Sequence, residues 1–489
     1  MPGRTTSPVT RLAPLAPALP GLVLAGLFLA TLALDPFPHV TFSSSPFTDE
    51  AWNVLNARNL VLFGRWATDD WSRQLLSLPF SLVQAAVLAV GGVGILQARL
   101  VSVASVVGAA VLVGFLVRRE AGTLAGTLAA AGVAGCALLL YYGRLALLEP
   151  MVTLWLTAGV AAVPRATGER AGRWGVVTGV AWAFAVGTKP NSALAVGGAL
   201  VAIALVGWRL APPVRRWLGG AVVAMLLLGA VWVVACWLPN RDEIAHVVRS
   251  WPPEALPTRP GEILRQIGGF LHDSDGVLSL AGPLLLVAAA GTLAAGLAWR
   301  RLGPGSRLLF AAALGWLLVG GVALLVVSYR PNRYFVPLVP AAAILAGLGW
   351  AAVEDRVTRR RLRGLAAALA LLVLAGPGLA VYGGWAAGGS ATLPGLQDQA
   401  LAEVPAGAVV EGKIAPVVFM RARATTLFSV AEWDLNGGDL YRSRGVRWVL
   451  GAPDQPPAWA TQEAAAWASR RQAWCFDWGG TEQCLEQLP

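Results

Sequence analysis

The segment PFSLVQAAVLAVGGVG, residues 79–94, decides how the chain is placed in a membrane. It is apolar and almost long enough to cross a bilayer, which takes about 20 residues. If it crossed, the arginine clusters that follow it would lie outside, against the tendency of cytoplasmic loops to collect Lys and Arg. We therefore predict that residues 79–94 form an interfacial or re-entrant helix.

The composition identifies a polytopic membrane protein. The chain has 489 residues, of which 56% are hydrophobic and 13% are charged, and its mean hydropathy is +0.61. A soluble protein of this size carries far more charge. The net charge of +11 comes almost wholly from arginines between apolar runs, where they orient helices, so we predict no nucleic-acid partner.

Apolar runs of about 20 residues recur along the chain. We predict about eleven membrane-spanning helices, with an upper limit of about thirteen, at 19–35, 98–117, 121–141, 149–165, 174–188, 191–208, 216–238, 278–299, 307–328, 333–352 and 364–382. Every second connection is rich in arginine, which predicts a cytoplasmic N-terminus. The first run lacks a small-residue cleavage site, so we interpret it as a retained helix.

The predicted organisation is an all-α polytopic membrane domain followed by a small α/β domain. The membrane domain covers residues 1–382, with a first outer loop at 36–97 and a second at about 239–277. Residues 383–489 are less apolar and contain short strand-like runs, which indicates a soluble domain outside the cytoplasm. Cys475 and Cys484 in this exported tail are either free or joined by a disulfide.

Two adjacent acids, Asp49 and Glu50, begin a predicted helix in the first outer loop. Asp49, Asn53 and Asn56 follow at helical spacing, so they would form one polar stripe facing a cavity. The alternative is that Asp49 caps the helix and that the acids favour its dipole.

Further ionisable residues lie at the outer ends of distant helices. Such residues at membrane depth are costly and usually mark a functional site, although long side chains also reach the interface without a function. Together with the acid pair they predict a cavity suited to a lipid-borne phosphate and to removal of a proton. They are Arg144, Glu149, Lys189, Arg330 and Arg333.

The order of these motifs resembles the GT-C membrane glycosyltransferases. The acid pair is followed by GRW, YYGRLALLE, GTKPNS and YRPNRYFVPLVP, over roughly residues 20–350. The branch they resemble comprises the protein O-mannosyltransferases and the lipid A aminoarabinose transferases. The resemblance implies a GT-C fold and an enzyme that moves a sugar from a polyprenyl- or dolichyl-phosphate carrier to an acceptor hydroxyl on the outer face.

The resemblance also implies roles for individual residues. Asp49 would be the general base of an inverting transfer, with Glu50 orienting the acceptor or a metal and Glu149 as the second outer-loop acid. The donor phosphate would be held by Arg144, Lys189, Arg330, Arg333 and Tyr334. The acceptor side of the cavity would include Asn53, Arg58 and Tyr142.

Several points stay open at this level. The family's His or Lys beside proline in the first loop is missing from RQLLSLPFSL, where either Arg73 substitutes for it or the contact is absent. His39, His246 and His272 are scattered, so we assign no cofactor and leave a divalent metal as an open alternative. The acceptor is a glycan, a glycolipid or a protein, and membrane lipid is the other expected partner. The alternatives to a transferase of this kind are a lipid or glycolipid transporter or flippase and, among enzymes, an O-antigen ligase or polymerase.

Overall fold

The structure is a computed structural model, and it describes most of the chain. The described residues are 13–36, 49–69, 77–207, 212–242, 244–245, 260–272, 277–325, 331–354, 359–428, 440–453, 456–461, 463–478 and 481–489.

The membrane domain is a bundle of helices around an extended apolar core. Its first part contains α1 (Leu19–Ala30), α2 (Asp49–Trp52), α3 (Leu55–Phe63), α4 (Leu78–Gly91), α5 (Ile95–Ala121), α6 (Thr123–Ala134), α7 (Ala137–Tyr142) and α8 (Leu148–Ala161). Its second part contains α9 (Ala171–Thr188), α10 (Ser192–Gly207), α11 (Pro212–Trp232), α12 (Pro260–His272), α13 (Val277–Leu297), α14 (Pro304–Leu325), α15 (Val339–Glu354) and α16 (Arg360–Gly388). Short 3-10 or π segments lie at Ala13–Ala18, Val163–Thr167, Val233–Trp237, Trp299–Arg301 and Asn332–Leu338.

Each predicted span overlaps helical structure, although the helix lengths differ. Among the described residues, six helices are long and apolar enough to cross a membrane: Ile95–Ala121, Pro212–Trp237, Val277–Leu297, Pro304–Leu325, Asn332–Glu354 and Arg361–Gly388. The predicted span 121–141 is interrupted, because Cys136 has extended backbone angles between α6 and α7. The number of crossings therefore stays a prediction.

Helix α4 corresponds to the segment that decided the predicted topology. Its 14 residues span about 21 Å at 1.5 Å per residue, which is less than the hydrocarbon thickness of about 30 Å. The buried Gln84 side chain donates to the carbonyl of Ala98 in α5 at 3.0 Å. These features support an interfacial placement.

The acid pair begins a shorter helix than the spacing predicts. The single helix expected over Asp49, Asn53 and Asn56 is broken, because Val54 has a non-helical backbone (φ −110°, ψ 6°) between α2 and α3. Of the three residues of the predicted polar stripe, Asn53 and Asn56 are buried and Asp49 is partly exposed. Asn56 is completely buried and donates to Ser81 of α4 at 3.0 Å.

The C-terminal region forms the predicted α/β structure. After α16, which ends at Gly388 beyond the predicted boundary, the elements are α17 (Thr392–Glu403), β1 (Val409–Glu411), α18 (Ala415–Val418), β2 (Thr425–Leu427), α19 (Leu440–Ser443), β3 (Trp448–Gly451), α20 (Ala464–Ala468), β4 (Arg471–Trp478) and β5 (Thr481–Gln487). The described strands form one mixed sheet in the order β2-β1-β3-β5-β4. Strand β1 is parallel to both neighbours, and β5 is antiparallel to β3 and β4. Cys475 and Cys484 are directly paired across β4 and β5 and form a disulfide.

Small residues let the helices of the bundle approach closely. Gly198 of α10 and Gly315 of α14 face each other, and a Cβ atom on either would collide with the carbonyl oxygen of the other. Such contacts are typical of membrane helices, where van der Waals packing replaces the hydrophobic effect.

We expect Gly198→Ala to lower the stability of the solubilised protein by about 1–3 kcal/mol, because overpacking forces α10 and α14 apart. The matched control is Gly197→Ala, one residue away, where a Cβ meets nothing within 4 Å. Thermal unfolding in detergent measures both. Equal melting temperatures for the two variants would contradict close packing at this contact.

Candidate active site

A cluster of charged side chains joins parts of the chain that are far apart in sequence. Arg333 Nη2 lies 2.8 Å from Asp49 Oδ2, and its Nε lies 3.6 Å from Glu149 Oε1. The same oxygen of Glu149 accepts a hydrogen bond from Lys189 Nζ at 2.5 Å. Of the outer-end residues that we expected to meet in one cavity, Glu149, Lys189 and Arg333 lie together, beside Asp49.

Helix ends place the charges of this cluster. Glu149 lies in the first turn of α8, and Lys189 is the C-cap residue of α9, which follows α8 and packs against it. A carboxylate at a helix N-terminus and a cation at a C-terminus both complement the helix dipole. Arg333 belongs to the 3-10 segment Asn332–Leu338, which leads directly into α15.

Two tyrosines complete the cluster. Lys189 Nζ lies 3.5 Å from the ring centroid of Tyr334, and the Arg333 guanidinium lies 5.4 Å from it. Both are cation–π contacts that hold the cations in place. Tyr142, at the end of α7, lies close enough to Arg333 and Glu149 to interact with both charges.

Side-chain exposure within the cluster increases from Glu149 to Asp49. The exposed fraction of the side chain is 2% for Glu149, 11% for Arg333, 15% for Lys189 and 25% for Asp49. The charges of these named residues balance. A phosphate could exchange for a carboxylate on the cations, and the more exposed carboxylate is within reach of a substrate hydroxyl.

The second acid of the pair lies in a different environment. Glu50 is completely buried and accepts two hydrogen bonds from Arg99, at 2.8 Å each, and one from the backbone N–H of Ala146 at 3.0 Å. Arg99 also donates to the carbonyls of Leu32 and Leu34. The role of Glu50 in orienting an acceptor stays a prediction, but its contacts are those of a buried anchor.

Arg144 and Arg58 are not brought to the charged cluster. Arg144 is buried, donates to the carbonyls of Leu34 and Asp35 at 2.6 and 2.7 Å, and stacks on Trp385. Arg58 is buried against the C-terminal region, where burial lowers the pKa of its guanidinium and the Asp69 carboxylate opposes that shift.

Two further candidate residues lie in the described part of the chain, and four lie outside it. Asn53 is buried and its side-chain amide lies 3.4 Å from the carbonyl of Ala146, on the side of Glu50. His272 is the last residue of α12. Arg73, Arg330, His39 and His246 lie outside the described residues.

Sequence reasoning missed Arg99 and Asp69. Arg99 lies within a predicted span, and a charge at that position is itself a signal of a buried partner. Asp69 gave no such signal, because acids in a polar loop are ordinary.

An apolar cleft is lined in part by the same 3-10 segment that carries Arg333 and Tyr334. It has a volume of about 160 Å³ and is lined by Leu138, Leu317, Phe335, Leu338 and Val339, among other apolar residues of α7 and α13 to α15. Phe335 directly follows Tyr334, so the cleft and the cations share the 3-10 segment Asn332–Leu338.

We expect the two acids of the pair to differ in their effect on stability. Glu50→Gln should lower it by about 3–5 kcal/mol, because the buried Arg99 is left with an uncompensated charge. Asp49→Asn is the matched comparison and should change stability little, because Asp49 is partly exposed. Thermal unfolding of both variants in detergent tests this, and similar melting temperatures would refute the assignment of Glu50 as a buried anchor.

Comparison with known proteins identifies a family match over part of the chain. Residues 80–245 match the family model described as dolichyl-phosphate-mannose-protein mannosyltransferase. No curated protein sequence gives a significant match.

Solved structures resemble almost the whole chain. ArnT from Cupriavidus metallidurans bound to undecaprenyl phosphate is 15% identical with a TM-score of 0.66, over 96% of this chain and 97% of that chain. The Archaeoglobus fulgidus oligosaccharyltransferase tethered with an acceptor peptide is 14% identical with a TM-score of 0.54, over 89% and 69%. Arabinofuranosyltransferase AftD from Mycobacteria is 15% identical with a TM-score of 0.54, over 96% of this chain and 41% of that chain. These likenesses show that the chain has the fold of the GT-C structures, over almost its whole length in the case of ArnT.

Proposed function

We propose that the chain transfers a sugar from a polyprenyl-phosphate carrier to an acceptor hydroxyl at the outer face of the membrane. The observation that carries this proposal is the joint position of Asp49, Arg333 and Lys189. The partly exposed carboxylate of Asp49 pairs with Arg333, and Arg333 and Lys189 share Glu149. The 3-10 segment that carries Arg333 also lines an apolar cleft through Phe335 and Leu338.

The proposed reaction is an inverting displacement. The acceptor oxygen attacks the anomeric carbon and forms the new glycosidic bond, while the bond from that carbon to the phosphate oxygen breaks. Asp49 takes the hydroxyl proton, and the electron pair of the broken bond leaves with the phosphate. Arg333 and Lys189 stabilise the phosphate as its charge grows, so they bind the transition state more strongly than the ground state.

The apolar cleft supports a lipid-linked donor. A prenyl chain in the cleft would bring its phosphate to Tyr334 and the adjoining cations, because Phe335 lines the cleft. The ArnT structure with undecaprenyl phosphate supports a donor of this class. The oligosaccharyltransferase structure with a tethered acceptor peptide supports a separate acceptor, which here is a glycan, a glycolipid or a protein.

The described residues do not form a metal site beside Asp49. The Arg333 guanidinium joins the carboxylates of Asp49 and Glu149, and Lys189 occupies the same oxygen of Glu149. The positive charge that a divalent ion would supply there comes from side chains. The mechanism above therefore contains no step through a metal.

The proposed orientation places the N-terminus in the cytoplasm and the C-terminal domain outside. The arginine-rich alternate connections support this orientation. The disulfide between Cys475 and Cys484 supports it independently, because disulfides persist in oxidising compartments.

We expect Asp49→Asn to abolish consumption of the donor in cells. The loss of a general base costs about 10²–10⁴-fold in rate. Lipid mass spectrometry on membranes should show the same sugar-loaded polyprenyl phosphate accumulating in a deletion strain and in the Asp49→Asn strain. The matched control is Asp398→Asn, whose side chain is 68% exposed on the C-terminal domain, and it should not accumulate the lipid.

Two outcomes would count against the proposal. Accumulation in the deletion strain alone would mean that the donor is correct and that Asp49 is not its base. Accumulation in neither strain would remove this class of donor and would favour lipid transport.

We expect Lys189→Met to lower transfer by on the order of 10²–10³-fold, as for other groups that stabilise a developing oxyanion. The measurement is the rate of donor consumption by purified protein in detergent or vesicles. Lys413→Met, in the C-terminal domain, is the matched control and should keep the wild-type rate. Equal rates for both variants would show that Lys189 does not hold the phosphate.

A further inference from the structure

Helices α2 and α3, the helix pair that begins at Asp49, contact the C-terminal domain. Arg58 of α3 donates from Nε to the carbonyl of Met420 at 2.8 Å. Its Nη2 donates to the carbonyls of Ala422 and Ala424 at 2.6 and 2.8 Å and lies 3.3 Å from that of Phe419. The segment that follows α18 therefore wraps its carbonyls around one guanidinium group.

Asp69 completes this contact from the same side of the chain. It accepts hydrogen bonds from Arg58 at 3.2 Å and from Asn59 at 2.7 Å. It also accepts one from the backbone N–H of Thr426 at 2.9 Å and lies 3.2 Å from the Thr426 hydroxyl. Arg58 and Asp69 have fully buried side chains, so water does not compete for these bonds.

The two regions also share one apolar core. Ala51 of α2 and Val54, between α2 and α3, belong to the same buried cluster as Ala415 and Val418 of α18. Trp52 stacks on Phe428 with a centroid distance of 5.5 Å. Helix α18 packs directly against α2, which begins at Asp49.

We propose that Arg58 is a positioning residue, through which the C-terminal domain fixes Asp49 against the donor site. This inference rests on the proposed role of Asp49 as general base. The cations Lys189 and Arg333 belong to other elements of the bundle, so the distance from Asp49 to the donor depends on how firmly α2 and α3 are held.

An arginine is required for this contact. All five N–H groups of a guanidinium have acceptors when it lies in such a nest of carbonyls, whereas a lysine offers a single ammonium centre. Arg58→Lys keeps the charge beside Asp69 and loses most of the bonds to residues 419–424. The helix pair would then be less firmly held while the donor site is unchanged.

The test uses the full chain and compares Arg58→Lys with Arg65→Lys. Arg65 also pairs with Asp69, at 3.4 Å, but its side chain is 53% exposed and does not lie at the domain contact. Amide hydrogen exchange at residues 49–63 is the first measurement. We expect faster exchange there in Arg58→Lys and wild-type exchange in Arg65→Lys.

The second measurement is donor consumption by the same proteins. We expect Arg58→Lys to lower kcat by on the order of 10²-fold, because small displacements of a reacting group have effects of that size. The KM for the donor should stay close to that of the wild type, since the phosphate and lipid contacts are unaltered. A general loss of folding would instead lower the active fraction and leave the kcat of the remaining active enzyme unchanged.

The outcomes separate this inference from the proposed function. Unchanged exchange at residues 49–63, or an unchanged kcat, in Arg58→Lys would overturn the positioning role even if Asp49→Asn is inactive. If wild type does not consume the donor, the proposed function fails and with it the catalytic meaning of the contact. Should Arg58→Lys fail to fold, Thr426→Val removes one hydroxyl from the same contact and should change exchange and kcat in the same direction by less.

Discussion

A buried guanidinium group is costly unless its N–H groups meet acceptors, and two such groups hold the first outer segment in place. Arg99 binds Glu50 together with the carbonyls of Leu32 and Leu34. Arg58 binds the carbonyls around Met420. These contacts anchor the chain on both sides of Asp49, so the position of that carboxylate depends on arginines that do not touch the charged cluster.

The adjacent acids illustrate how one helical turn separates two roles. Neighbouring side chains on a helix point about 100° apart. Glu50 therefore faces the bundle and pairs with Arg99, while Asp49 faces Arg333 near the opening. The first contact is a buried charge pair, which is costly to break, and the second is a partly exposed one.

The C-terminal domain contacts the first outer segment at two places. Asp35, beside α1, accepts hydrogen bonds from the backbone N–H groups of Thr392 and Leu393 at the start of α17. The first outer segment is therefore joined to the C-terminal domain at Asp35 and again at Arg58. A domain boundary drawn from composition near residue 382 misses this coupling, because carbonyl contacts leave no mark in the sequence.

The sequence by itself determined the helical membrane class, the α/β tail and the residue types of the charged cluster. Apolar length and arginine alternation are local properties of the chain, and Glu149, Lys189 and Arg333 are conspicuous at helix ends. Only the tertiary structure decided which charges meet. In the structure, Arg333 pairs with Asp49, while Glu50, Arg144 and Arg58 bind other groups. The helix that begins at Asp49 ends at Trp52. The reason is physical: a guanidinium satisfied by distant backbone carbonyls follows from folding, and no spacing along the chain encodes it.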